Sequence, residues 1–167
     1  MGVIEKVKRS DKKVAFIKDG KVLGDMWFEK CGDFIDGFAV VKFGKKEYGF
    51  IDENGNVSER FRYATPFKGG FACVSREDKR WNLIGVDMKP IAKEWFDCVY
   101  DFNEGFAIVR RCEGKYGYMD KDGNILGDMW FPLAYDFSNG FGLVRTDNDL
   151  YAYMSKDGNM IYANDFR

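Results

Sequence analysis

The chain has no histidine among its 167 residues. That removes Ser-His-Asp and Cys-His nucleophilic arrangements and every histidine-based metal site. Cysteine is scarce, and the four present, at 31, 73, 98 and 112, form no C-x-x-C pair. Cys73 stands where other copies of a repeat described below carry Val40, Ile108 and Leu143, so it reads as a small core residue. The cysteines are therefore expected to be reduced, in a cytoplasmic protein. No apolar run approaches the ~20 residues that span a bilayer. Residues 1–13 lack the apolar core of a secretory signal, and Lys6 stands where a myristoylation site needs Ser or Thr. Charge of one sign is lacking too: 26 Lys and Arg face 27 Asp and Glu, a net charge of −1. Such balance gives no global field for nucleic acid or an anionic membrane, and neither is expected as a partner. Sustained apolar spacing of the helical kind is absent as well.

What is abundant is glycine, 19 residues, and aromatic side chains, 17% of the chain. They recur in order. Gly37-Phe38-Ala39, Gly70-Phe71-Ala72, Gly105-Phe106-Ala107 and Gly140-Phe141-Gly142 place phenylalanine at intervals of 33, 35 and 35. An aromatic-small-aromatic signature follows each: Tyr48-Gly49-Phe50, Trp81-Asn82-Leu83, Tyr116-Gly117-Tyr118 and Tyr151-Ala152-Tyr153, with Val14-Ala15-Phe16 as a weaker copy. A third marker ends each unit: Trp27-Phe28, Arg60-Phe61, Trp95-Phe96, Trp130-Phe131 and Asp165-Phe166. Aligning Met1-Gly2-Val3-Ile4 with residues 141–144 lets five units fill the chain.

Each unit reads as three short strands. The Gly-Phe-Ala run alternates faces with period two, Phe106, Ile108 and Arg110 on one and Ala107 and Val109 on the other. The aromatic-small-aromatic run is the second strand. Asp-Gly and Asn-Gly turns at 19–20, 54–55, 122–123 and 157–158 supply the positive φ of tight hairpins. The third strand covers segments such as 124–131. Val86-Asp87-Met88-Lys89-Pro90 breaks the series and predicts a different turn, with Pro90 opening a strand. The fold class is all-β. One domain, 1–167, is expected, with units near 1–33, 34–66, 67–101, 102–136 and 137–167. Units this small must bury their faces on neighbours, as an open twisted β-array or a small closed propeller-like ring.

Tyr48-Gly49-Phe50-Ile51-Asp52-Glu53-Asn54-Gly55 with residues 67–74, and Tyr116-Gly117-Tyr118-Met119-Asp120-Lys121-Asp122-Gly123 with residues 137–144, resemble the bacterial Trp-Gly (WG or KWG) repeat. The likeness covers nearly the whole chain. It departs in the name-giving residue: tyrosine stands at 48, 116 and 151, and Asn82 follows Trp81. The resemblance implies a β-rich repeat used for binding or scaffolding, and it carries over no catalytic residues.

Paired carboxylates are the remaining catalytic option. Asp33, Asp101 and Asp136 recur in equivalent positions, which suits a structural turn device better than a singular active site. Residues 120–124 look like part of a calcium loop but lack its further ligands. Lys42, Arg110 and Arg145 hold equivalent strand ends, with Ser75 and Glu5 in the remaining units and Arg76 and Arg111 adjacent. Stacked, such residues form a basic stripe able to grip carboxylates or phosphates. Trp27, Trp95 and Trp130 neighbour a phenylalanine that faces inward, so they offer aromatic surface. The sequence thus predicts a non-enzymatic module, without metal or cofactor, that holds another protein through Trp27, Trp95, Trp130, Lys42, Arg110 and Arg145. The alternative is a lectin-like module binding a glycan through the same tryptophans.

Overall fold

The computed structural model describes residues 2–162. Among them the strands gather into five separate sheets, none closed on itself. β1 (Ile4–Lys8), β2 (Val14–Lys18) and β3 (Lys21–Val22) form the first; β4 (Lys30–Cys31), β5 (Phe38–Gly44) and β6 (Glu47–Asp52) the second. β7 (Tyr63–Ala64), β8 (Ala72–Ser75) and β9 (Trp81–Ile84) form the third; β10 (Cys98–Asn103), β11 (Phe106–Arg110) and β12 (Tyr116–Met119) the fourth. The fifth has β13 (Leu133–Ala134), β14 (Phe141–Arg145), β15 (Tyr151–Ser155) and β16 (Met160–Tyr162). The protein is all-β. It divides into two compact units, residues up to 79 with 83–90, and residues 80–82 with 91 onward, so the division passes within β9.

The third strand of most sheets is not where the sequence places it. Residues 124–131 hold only isolated bridges at Ile125 and Phe131, around a 3-10 turn at Leu126–Asp128. Gly127 and Asp128 sit there at φ of 62° and 50°, a left-handed step that no strand accommodates. Leu23–Asp25 repeats it. The partner strand comes instead from the segment before Gly-Phe-Ala, to which the sequence assigned no strand. The phenylalanine of each aromatic pair makes that switch. Phe28 bridges back to Val14, Phe61 to Tyr48, Phe96 to Trp81 and Phe131 to Tyr116. The next residue reaches forward: the N–H of Glu29, Arg62 and Asp97 donates to the carbonyl of Lys42, Ser75 and Arg110. These four phenylalanines are buried, while the expected fifth marker, Asp165-Phe166, lies outside the described residues.

The hairpins also correct the alignment of the first unit. Lys42 pairs with Tyr48, Arg110 with Tyr116 and Arg145 with Tyr151, always six residues on; Lys8 pairs with Val14 in the same way. Ile4 therefore stands opposite Lys18 as Phe141 stands opposite Ser155. It takes the slot of Phe141, not of Val144, because the turn sets the register and a residue count from Met1 does not.

Within each unit the core lies between successive sheets. The outer face of β11 and β12, with Ile108 and Tyr118, packs on the inner face of β14 and β15, with Val144, Ala152 and Met154. In the first unit Phe16 of β2 packs with Ala39, Val41 and Ile51 of the second sheet. Small residues permit the approach: a Cβ at Gly142 would lie 2.5 Å from the Tyr118 hydroxyl oxygen. That hydroxyl donates to the Tyr135 carbonyl at 2.5 Å.

The irregular turn after β9 also differs from expectation. Met88 N–H donates to the Gly85 carbonyl and Gly85 N–H to that of Lys89, the pattern Gly55 makes with Asp52, and Asp52 with Asn56. The turn is the same one, with Met88 at φ 59° in the position glycine holds at 55, and Pro90 makes a lone bridge to Ile84. A left-handed non-glycine residue costs roughly 1–2 kcal/mol, offset in part by glycine's larger unfolded-state entropy. Met88→Gly is expected to raise the unfolding free energy by about 0.5–1 kcal/mol. Urea titration checks it, and a lowered midpoint would refute the strain.

Candidate functional site

The basic residues at the strand ends lie against the aromatic residue of the paired strand. Arg110 approaches the Tyr116 ring to 5.8 Å, and Lys42 that of Tyr48 to 6.0 Å while pairing with Glu29 at 3.3 Å. Arg145 pairs with Asp149 at 3.8 Å. Its Nε is buried without a partner among the described residues, as is Nε1 of Trp130. The first-unit member of this series is Lys8 and not Glu5, a correction that follows from the six-residue register.

The three tryptophans are half-buried. Trp27 carries Arg9 over its ring at 4.5 Å, with Arg9 held by Asp11, whose carboxyl pKa that guanidinium lowers to about 2. Trp130 carries Arg111 at 3.8 Å. Arg111 is bidentate to Glu94, at 2.9 and 3.0 Å, and this pairing raises the Arg111 pKa. A Cβ at Gly117 would come within 3.1 Å of the Trp130 ring, so glycine in the aromatic-Gly-aromatic signature makes room for it. The Trp95 carbonyl accepts from Arg80 at 2.9 Å. The cation over Trp130 is thus Arg111, and the one over Trp27 is Arg9.

The recurring carboxylates Asp33, Asp101 and Asp136 all stand exposed. Asp33 is exposed and pairs with Lys6 at 2.8 Å, which lowers its pKa. Oδ1 of Asp52 accepts the N–H of Asn54 and Asn56, and Oδ1 of Asp120 those of Asp122 and Asn124, all at 2.9 Å. The calcium-like run is therefore a hairpin closed on its own carboxylate. Among the described residues no group of three His, Cys, Asp or Glu side chains could hold a metal ion, and no helix is long and apolar enough to cross a membrane.

Sequence reasoning missed the outer face of the last sheet. Register puts Phe141, Leu143 and Arg145 of β14 and Tyr151 and Tyr153 of β15 on one face, and Tyr135, whose N–H bonds the Leu143 carbonyl, beside them. Tyr135, Phe141, Tyr151 and Tyr153 are 48, 41, 50 and 45% exposed. Period-two alternation puts Phe141, Leu143 and Arg145 of one strand on a common face, but it does not say that the face is uncovered.

All four cysteines are free, as reduced cysteines require. Burial pushes the Cys31 thiol up to about 11, and only Cys112 is exposed. Because the thiolate is the nucleophile, iodoacetamide at pH 8 should modify Cys112 at least ~10-fold faster than Cys31. Peptide mapping reads this, and equal rates would contradict the placement of Cys31.

A family model described as WG containing repeat matches residues 18–46, 48–81, 96–116 and 116–151. No curated protein matches the chain in sequence. Among solved structures, the computationally designed Ika8 protein is 12% identical, with 94% of this chain and 57% of that one covered and a TM-score of 0.44. BamB from Moraxella catarrhalis is 8% identical, with 95% and 57% covered and a TM-score of 0.44. The WD40 β-propeller domain of Doa1 is 12% identical, with 94% and 58% covered and a TM-score of 0.35. The chain thus spans just over half the length of each. With four matches that together span most of its length, carried by the same aromatic-Gly-aromatic and Gly-Phe-Ala strands that build its sheets, the chain belongs to the WG-containing repeat family.

Proposed function

We propose that the protein is a non-enzymatic interaction module that holds another protein. The observation that carries this reading is the outer face of the last sheet, where Tyr135, Phe141, Tyr151 and Tyr153 stand exposed around Arg145. Tyrosine, phenylalanine and arginine are the residues interfaces concentrate, and contiguous exposed apolar surface marks interaction sites. Arg145 links this face to the contact set expected from sequence, Trp27, Trp95, Trp130, Lys42 and Arg110. The glycan alternative draws less support, since a guanidinium already covers Trp27 and another covers Trp130.

The test is capture of partners from native lysate on the tagged protein beside an Arg110→Ala/Arg145→Ala variant, read by mass spectrometry. A protein held by the wild type and lost by the folded variant supports the reading. If neither form retains any protein, the reading fails and glycan screening follows.

A further inference from the structure

The seating of one repeat on the next follows a fixed chemistry in both units. Phe67 stacks on Phe38, with centroids 4.3 Å apart and planes at 20°, and meets Phe50 edge-on at 5.1 Å. Phe137 stacks on Phe106 at 4.6 Å and 26°, and meets Tyr118 edge-on at 4.8 Å. Each seated ring begins a Phe-x-x-Gly turn, Phe67-Lys68-Gly69-Gly70 or Phe137-Ser138-Asn139-Gly140. The turn's glycine is fixed too: Gly70 N–H donates to Asp36 at 3.0 Å and Gly140 N–H to Glu104 at 2.8 Å. That bond is the leading cause of the lowered Glu104 pKa. An aromatic floor, an aromatic wall and an acceptor on the preceding turn therefore make a socket for a Phe-x-x-Gly turn.

The last sheet repeats the socket. Phe141 holds the slot of Phe38 and Phe106, Tyr153 that of Phe50 and Tyr118, and Asn139 that of Asp36 and Glu104, in the same left-handed conformation. Its two rings meet edge-on at 6.2 Å and are far more exposed than the buried Phe38, Phe50 and Tyr118. We infer that the outer face of the last sheet accepts a Phe-x-x-Gly turn from a different polypeptide, its phenylalanine seated on Phe141 and Tyr153 and its glycine N–H on Asn139.

The inference rests on the protein-binding reading and names the partner's chemistry: a β-repeat with an unseated Phe-x-x-Gly turn. Continuity selects that occupant, because this face is the next member of the series already occupied at Phe106 and Tyr118. A second copy of this chain is a poorer donor, since Phe67 and Phe137 are buried in their own sockets, Phe34 packs edge-on against Phe16 at 4.8 Å and Phe102 is half-buried. With Asn139 in place of a carboxylate, the site asks for no positive charge on the incoming turn.

The probe is a cyclised hairpin peptide with the sequence of residues 134–145, titrated into the full chain and followed by NMR chemical-shift changes. Saturable binding is expected below ~1 mM, weakened at least ~10-fold when the peptide's first phenylalanine, the one that opens its Phe-x-x-Gly turn, becomes alanine or the protein carries Phe141→Ser/Tyr153→Ser. Partners captured from lysate should be displaced by the peptide and lost from that double variant. No saturation to ~1 mM, or equal binding by the double variant, overturns the inference. Concentration-dependent self-association abolished by Phe141→Ser also overturns it, assigning the face to a second copy. These outcomes are separable from the broader reading: captured proteins that survive the double variant sink the socket alone, and no captured protein at all sinks both.

Discussion

Phe137→Ala should lower the unfolding free energy by about 3–5 kcal/mol, the usual loss for truncating a buried phenylalanine. Phe141→Ala, four residues along the same turn, should cost less than about 1 kcal/mol, as surface substitutions do. The contrast follows from what lies on each ring. Phe137 is 4% exposed, stacked on Phe106, edge-on to Tyr118, and part of a cluster with Ile108, Phe131, Val144, Ala152 and Met154. Removing it empties a space among packed side chains of two sheets, so transfer and cavity costs add. Phe141 occupies the structural slot of Phe106 but, among the described residues, has Tyr153 as its one ring neighbour, 6.2 Å away. Phe106→Ala, in that same slot under a seated ring, should fall between the two. Denaturant titration of the three variants tests the order. If Phe141→Ala proved as costly as Phe137→Ala, its ring would be buried in solution, and the open face would not exist.

The sequence made the repeat legible because the physical demand recurs. A small residue recurs beside an aromatic one where the following segment folds back on the strand, hence Gly49 and Gly117, and an inward phenylalanine where the chain changes sheets, hence Phe28, Phe61, Phe96 and Phe131. The left-handed steps at Asp25 and Asp128 were harder to read. Leu-Gly-Asp at 23–25 and 126–128 resembles an ordinary piece of alternating strand, and only its pairing shows that it is a corner. Register in the first unit was readable through the six-residue interval from Lys8 to Val14, but a weak Val-Ala-Phe signature hid it. The candidate site was legible by residue type and not by exposure. Tyr118 and Tyr153 occupy equivalent slots in equivalent strands, yet one is buried and the other open. That difference depends on whether a following sheet covers the strand, which composition and spacing do not encode. Arg111 was noted only as a neighbour of the basic series, and its place over Trp130 was missed for a related reason: Glu94, its partner, lies 17 residues away in an irregular segment.

Asn82→Ala should destabilise the protein by about 2–3 kcal/mol, the cost of leaving buried backbone groups without partners. Asn82 stands where the family signature has glycine, and it is fully buried. Its Nδ2 donates to the carbonyls of Ala92 and Glu94, at 2.9 and 3.2 Å, and its Oδ1 accepts from Ala92 N–H at 3.4 Å. A side-chain amide is suited to this, offering two donors and an acceptor. It pins residues 92–94, which belong to no strand, beneath the strand that carries Trp81. Glu94 then holds Arg111, which in turn covers Trp130, so the departure from glycine supports a cation–aromatic arrangement with a bidentate carboxylate behind it. Alanine fills the space with no polar atom and strands the Ala92 and Glu94 groups. The sharper control is Asn82→Asp, which keeps the shape but replaces the donating Nδ2 with an ionised oxygen facing two carbonyls. It should be at least as damaging at pH 7 and should recover as the pH falls, because a carboxyl held among carbonyls favours its protonated form. Thermal melts of both variants across pH 4–8 decide the point. An Asn82→Ala variant that melts like the wild type would show that water satisfies those carbonyls and that the amide is incidental.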